Sequence, residues 1–144
     1  MSTEAPIRTL DARRAAQREQ SVGGVLRPAQ LPRFAALLAD DSGTIEASLN
    51  FSFDEEKRLR VRTEIRAQVQ VTCQRCLQPL ALALAGENSL AVVTHDDAAS
   101  QLPREVEPLL VEEPENLDVW AVIEEDLILA LPPYSYHETA ACRE

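Results

Sequence analysis

The chain has 144 residues and a mass of 15.9 kDa, with 45% hydrophobic and 26% charged residues, a formal charge of −10 and a pI near 4.7. That length suits a single domain, residues 1–144, able to bury close to ~70% of the surface its unfolded chain exposes. No apolar run reaches the ~18 residues of a membrane span, no signal-peptide pattern opens the sequence, and three cysteines without a secretion signal argue against a disulfide framework and for the reducing cytoplasm.

The negative charge is segregated. Residues 1–39 carry +3, residues 40–56 carry −6, residues 57–75 carry +5 and residues 76–144 carry −12. Such blocks mark separate solvated faces, and a basic block in an acidic chain hints at a polyanion contact on one side.

In chain order, residues 11–20 read either as a short polar helix or as part of a mobile N-terminal arm (residues 1–20), with Arg13, Arg14 and Arg18 and almost no apolar face. Residues 21–26 suit a brief strand in which Gly23 and Gly24 mark a bulge or a close backbone approach. Pro32 fits the first turn of a helix whose stripe is Leu31, Phe34, Leu37 and Leu38, stopped by the turn residues Asp40, Asp41, Ser42 and Gly43.

The clearest signal follows. From Thr44 to Phe53 the apolar Ile45, Ala47, Leu49, Phe51 and Phe53 alternate with polar residues, which predicts a half-buried strand. Asp54, Glu55 and Glu56 turn the chain into a longer alternation from Leu59 to Val71. Its other face carries Arg60, Arg62, Glu64, Arg66, Gln68 and Gln70, with Arg58 just before it. Side chains two apart share a face, so these arginines form a row spaced ~6.6–7 Å. Guanidinium forks match phosphate geometry. Arg58, Arg60, Arg62 and Arg66, with Arg75 beyond them, are therefore the predicted RNA-binding residues, although Glu46 on the neighbouring strand would neutralise part of the row. Only six residues are aromatic, so a base-stacking platform is not expected.

Cys73-Gln74-Arg75-Cys76 sits between this strand and the next. With His137 and Cys142, separated by four residues, it makes a Cys₃His set that uses every cysteine in the chain. Thiolate and imidazole are the ligands zinc prefers, and a two-residue gap lets both sulfurs face one metal. The same cysteines also fit a reactive pair or small buried hydrophobes. With zinc bound, the C-terminal segment 137–144 would be clamped to the sheet by the metal.

Leu80, Leu82, Leu84, Leu90 and Val92 continue the two-residue period, with Gly86 as an expected bulge or bend that can split the strand. Residues 94–115 read as an acidic loop with a short strand at 108–111. His95, Asp96 and Asp97 within it suggest a divalent cation or a nuclease centre, but a full ligand set is not evident and a solvated loop is the simpler reading. Residues 116–131 form a helix capped by Asn116 or Asp118, with Trp120, Ile123, Leu127 and Leu131 inward and Pro132 and Pro133 at its end. Glu124, Glu125 and Asp126 are expected on its wet side. Four glycines leave no phosphate-cradling loop, and neither a nucleophile elbow nor a zinc-protease motif occurs. No enzyme and no small-molecule substrate are predicted.

The expected fold is α+β: an antiparallel sheet, open or barrel-like, with two to three helices packed on it. The run from Val71 to Leu77 around the cysteines, Leu117-Asp118, the run from Val122 to Pro132 and the His137-to-Cys142 ending together resemble the YceD family, the large ribosomal RNA subunit accumulation proteins of bacteria and plastids. Family chains usually continue beyond the last cysteine, whereas this sequence ends at Glu144. The resemblance implies a non-enzymatic role in large-subunit rRNA accumulation and ribosome assembly, with rRNA or a pre-ribosomal particle as partner. The alternative is an acidic adaptor that recruits or chaperones a basic ribosomal protein through residues 76–144.

Overall fold

The computed structural model describes residues 4–94, 102 and 106–132. Among these the chain forms β1 (Thr9–Leu10), α1 (Ala12–Gln17), β2 (Ser21–Leu26), α2 (Pro32–Ala35), β3 (Gly43–Phe53), β4 (Leu59–Thr72), β5 (Pro79–Val93), β6 (Glu107–Leu110), β7 (Leu117–Asp118) and α3 (Val119–Ala130). A five-stranded sheet runs β2-β3-β4-β5-β6, and β1 pairs with β7 in a separate two-stranded ribbon.

The two alternating segments form the centre of the sheet as expected. β3 and β4 pair antiparallel without interruption from Phe53↔Leu59 to Gly43↔Val69. β4 and β5 pair from Thr72↔Pro79 to Arg60↔Ala91, again without a slip. Gly86 therefore makes no bulge, and β5 is one continuous strand. Gly86 lies opposite Ile65, whose Cγ1 would be 3.6 Å from a Cβ at that position. The sheet does not close into a barrel: β2 and β6 are its edges, and β6 adds parallel to β5, an exception to the antiparallel expectation.

Period-2 patterning fixes which face is buried. Ile45, Leu49, Phe51, Val61, Ile65 and Val69 point into one core, where they meet Leu26, Phe34, Val119, Ile123 and Leu127 from the flanking segments. α1 belongs to that core. Asp11 caps it by accepting from Arg14 N–H at 3.1 Å, and Ala12, Ala15 and Ala16 are buried. The apolar face of α1 is faint in the sequence because alanine carries little hydrophobic signal, yet alanines let a helix approach a sheet closely.

The segment before α1 is fastened as well. Val25 N–H donates to Glu4 O at 2.9 Å and Trp120 Nε1–H donates to Pro6 O at 2.9 Å, while the Arg8 guanidinium lies 4.9 Å from the Trp120 ring centre. Gly24 permits this, since a Cβ there would lie 2.1 Å from Glu4 O.

α2 is shorter than its stripe suggests. Leu31 and Phe34 are buried, but Leu37 is 52% exposed. Bonds from Leu37 N–H to Phe34 O and from Leu38 N–H to Ala35 O tighten the helix, and Ala39 N–H then donates to Gln70 O, pulling the chain onto the end of β4.

Candidate nucleic-acid interface and cysteine turn

All described helices pack on one face of the sheet, and the opposite face is open to solvent among the described residues. The register places Glu46, Arg62, Glu64, Arg66, Gln68, Ala83, Ala85, Glu87 and Ser89 on this face, all exposed. A trough of 760 Å³ lies at its middle, bordered by Gly23, Glu46, Glu64, Arg66, Ala85 and Glu87.

The predicted arginine row occupies this face but is not uniformly basic. Arg60 is half-buried: it bonds Leu90 O, Ser89 Oγ and Asp54 Oδ2, the last at 3.3 Å. Arg58 is held by Asp54 at 3.4 Å and by Glu56 at 3.7 Å. These two are structural braces of the β3–β4 turn as much as a binding surface.

Arg62 and Arg66 stand further out. Arg62 pairs with Glu87 at 3.0 Å, with both side chains more than half exposed, so the pair contributes little to stability and can be traded for another anion. Arg66 is opposite Glu46 in the register and makes no ion pair within 4 Å among the described residues. Glu64 and Glu87 face each other across β4 and β5. The hydrogen bond from Arg62, then hydrogen bonding with Glu64, holds the Glu87 carboxyl below its ordinary range. Arg75 is exposed in the turn beyond Thr72, at the far end of β4 from Arg58.

That turn, residues 73–78, joins β4 to β5 as expected. Cys73 N–H donates to Gln78 O at 2.9 Å, Leu77 N–H donates to Cys73 O at 2.8 Å, and Leu77 adopts φ 64°. Cys73 is fully buried and Cys76 half-buried. The two thiols thus occupy one tight loop at the end of the sheet. His137 and Cys142, the other half of the predicted zinc set, lie outside the described residues, as do His95, Asp96 and Asp97. Among the described residues no three His, Cys, Asp or Glu side chains gather as a metal site.

The helix acids depart most sharply from the sequence expectation. Only Glu125 is on the wet side, paired with Arg33 at 2.9 Å. Glu124 and Asp126 are buried, at 7% and 5% exposure. Glu124 Oε2 accepts from Arg33 N–H at 2.8 Å and Phe34 N–H at 3.1 Å. Asp126 Oδ2 accepts from Thr63 Oγ1–H at 2.5 Å, and its carboxyl also meets the Asn88 side chain. Burial, chiefly, pushes the Asp126 pKa up, against those hydrogen bonds and with help from Glu107 and Glu125. Neither acid lines any of the cavities described; their hydrogen bonds join α3 to α2 and to the sheet. The sequence does hold a signal for them: Val119, Trp120, Val122, Ile123, Leu127, Ile128 and Leu129 surround the helix, and a helix apolar on all sides is buried on most of them.

Residues 61–144 match the family model described as Large ribosomal RNA subunit accumulation protein YceD. The chain belongs to this family. A Haemophilus influenzae protein named Large ribosomal RNA subunit accumulation protein YceD is 30% identical over 134 residues, covering 93% of this chain and 77% of the relative. No solved structure matches. The family match spans β4, the cysteine turn, β5 and α3 with its buried acids. Among the described residues, those that carry the resemblance within this region close the β4–β5 turn and build α3, which Asp126 locks onto the sheet.

Proposed function

We propose that this protein supports accumulation of large-subunit ribosomal RNA as a non-enzymatic assembly factor that binds the rRNA or a precursor particle through the open face of its sheet. The observation that carries the reading is that this face presents Arg62 and Arg66, one in an exchangeable surface pair and one with no ion pair among the described residues. Phosphate contacts need such groups: a guanidinium free to exchange partners, on a rigid strand, aimed at solvent. The nearby Glu46, Glu64 and Glu87 limit the area that attracts a polyanion, so the interface is narrow and sensitive to salt.

In the same proposal Cys73 and Cys76 hold zinc with His137 and Cys142. Cys73 and Cys76 share one tight loop, and the buried setting of Cys73 suits a structural rather than a catalytic site. No described helix is long and apolar enough to cross a membrane, and the reading places the protein in the cytoplasm with the ribosome. The experiment is binding to a large-subunit rRNA fragment over a salt series. Loss of affinity with rising salt supports it. Absence of RNA binding at low salt, with tight binding of a basic ribosomal protein, favours the acidic adaptor instead.

A further inference from the structure

A second surface differs from the sheet face in its charge. Where the hairpin end of β3 and β4 meets the end of β5 and the start of α1, a cavity of 360 Å³ is lined by Arg13, Phe53, Lys57, Arg58 and the apolar stretch Ala91 to Val93, with Thr94 and Pro114 at its margin. Among the described residues three cations line it and no carboxylate does, in a chain whose formal charge is −10. The trough on the sheet face is bordered by three glutamates and one arginine.

We infer that this cavity binds one unstacked nucleotide of a single-stranded RNA segment, its base against Phe53 and the apolar wall and its phosphate against Lys57 and Arg13. The inference rests on the rRNA reading and names a site for it. The volume lies at the small end of the ~300–1,000 Å³ typical of small-ligand pockets, the scale of one nucleotide rather than a strand. Phe53 is 37% exposed although it continues the buried phase of β3. An aromatic surface left open beside cations is what base stacking with phosphate pairing requires. One aromatic serves one base, consistent with a chain too poor in aromatics for a platform.

The cations differ in availability. Arg58 is held by Asp54 and Glu56 and shapes the wall. Arg13 reaches Glu115 only at 3.7 Å, with both side chains over half exposed, and yields readily to a phosphate. Lys57 makes no ion pair among the described residues, and its backbone is fixed: its N–H donates to Asp54 O at 2.9 Å at φ 64°, while Asp54 Oδ1 accepts from Glu56 and Arg58 N–H. Lys57 therefore projects from a pinned turn, which lowers the ordering cost of binding.

The test uses the full chain and amide chemical shifts, titrated with a single-stranded RNA oligonucleotide, a blunt RNA duplex of equal length, adenosine monophosphate and inorganic phosphate. The expected result is that the single strand shifts Phe53, Lys57 and Thr94, and that Phe53→Leu and Lys57→Gln each weaken its binding by about tenfold, as removal of one stacked base or one phosphate partner implies. Duplex binding should be unchanged in both variants. Inorganic phosphate reproducing the full pattern, or adenosine monophosphate binding as tightly as the oligonucleotide, overturns the inference. If RNA is bound and only the sheet-face amides move, this inference fails while the rRNA reading stands; if no RNA is bound, both fail.

Discussion

Glu124 caps a helix it does not belong to: its Oε2 accepts the N–H of Phe34 at 3.1 Å and of Arg33 at 2.8 Å. Leu31, the N-cap of α2, has no side-chain acceptor, and Pro32 at the first position has no N–H. The two donors left at that end are the ones Glu124 takes. A carboxylate 90 residues away in sequence thus replaces the missing cap and joins α2 to α3. Glu124→Ala should cost about 1–3 kcal/mol, since two donors lose their acceptor inside the protein, and Glu124→Gln distinctly less because one acceptor oxygen remains. Urea unfolding with an unchanged m-value reads the difference. Equal losses for the two variants would contradict this, because they would mean that an amide oxygen in the same place cannot stand in for the carboxylate.

Asp126 supplies a pH dependence. Its folded pKa is raised by burial above the ordinary 3.8, so the folded state holds the proton more tightly than the unfolded chain. Its contribution to stability is fully present below the unfolded pKa and is lost as pH rises through the folded pKa. Asp126→Asn keeps the shape and cannot ionise. The difference in unfolding free energy between wild type and Asp126→Asn should therefore move against the wild type as pH increases from about 4 towards neutrality. A flat difference over that window would contradict a raised Asp126 pKa.

Two glycines differ in what surrounds them. A Cβ on Gly24 would meet Glu4 O at 2.1 Å and Pro6 N at 2.9 Å, both backbone, whereas one on Gly86 would only touch Ile65 Cγ1 at 3.6 Å. Gly24→Ala should destabilise by about 1–3 kcal/mol and speed proteolysis within residues 4–10. Gly86→Ala should be neutral or stabilise by up to about 1 kcal/mol. Thermal melts with limited proteolysis distinguish them.

For the metal, protein purified without chelator should carry about one zinc per chain, and Cys73→Ser with Cys76→Ser should abolish it. Elemental analysis reads the ratio directly. A fully folded, metal-free wild type whose stability does not respond to added zinc would sink the clamp.

Much of this architecture is legible in the sequence because period-2 alternation dictates a strand's two faces: β3, β4 and the arginine face follow from it, as does the turn at Cys73. The partners of those arginines are not legible. Asp54 and Glu87 reach them through a turn geometry and a cross-strand register that one strand's pattern does not contain. Glu124 and Asp126 defeat the expectation that a charged residue faces water, because the helix around them is apolar on nearly every side. The helix at α1 is legible but its burial is not, since its buried side chains are only methyl groups.

The most direct test of the sheet-face interface compares two double variants in binding a large-subunit rRNA fragment across a salt series. Arg62→Gln with Arg66→Gln removes the exposed guanidiniums, and Arg58→Gln with Arg60→Gln removes the two braced by Asp54. The exposed pair should weaken binding and lower the salt dependence by roughly 0.7–0.9 in log–log slope for each phosphate no longer neutralised. The braced pair should act mainly on stability, with a smaller loss of affinity per folded molecule than the exposed pair. Wild-type and exposed-pair curves that coincide at every salt concentration would contradict the proposal that this face holds the RNA.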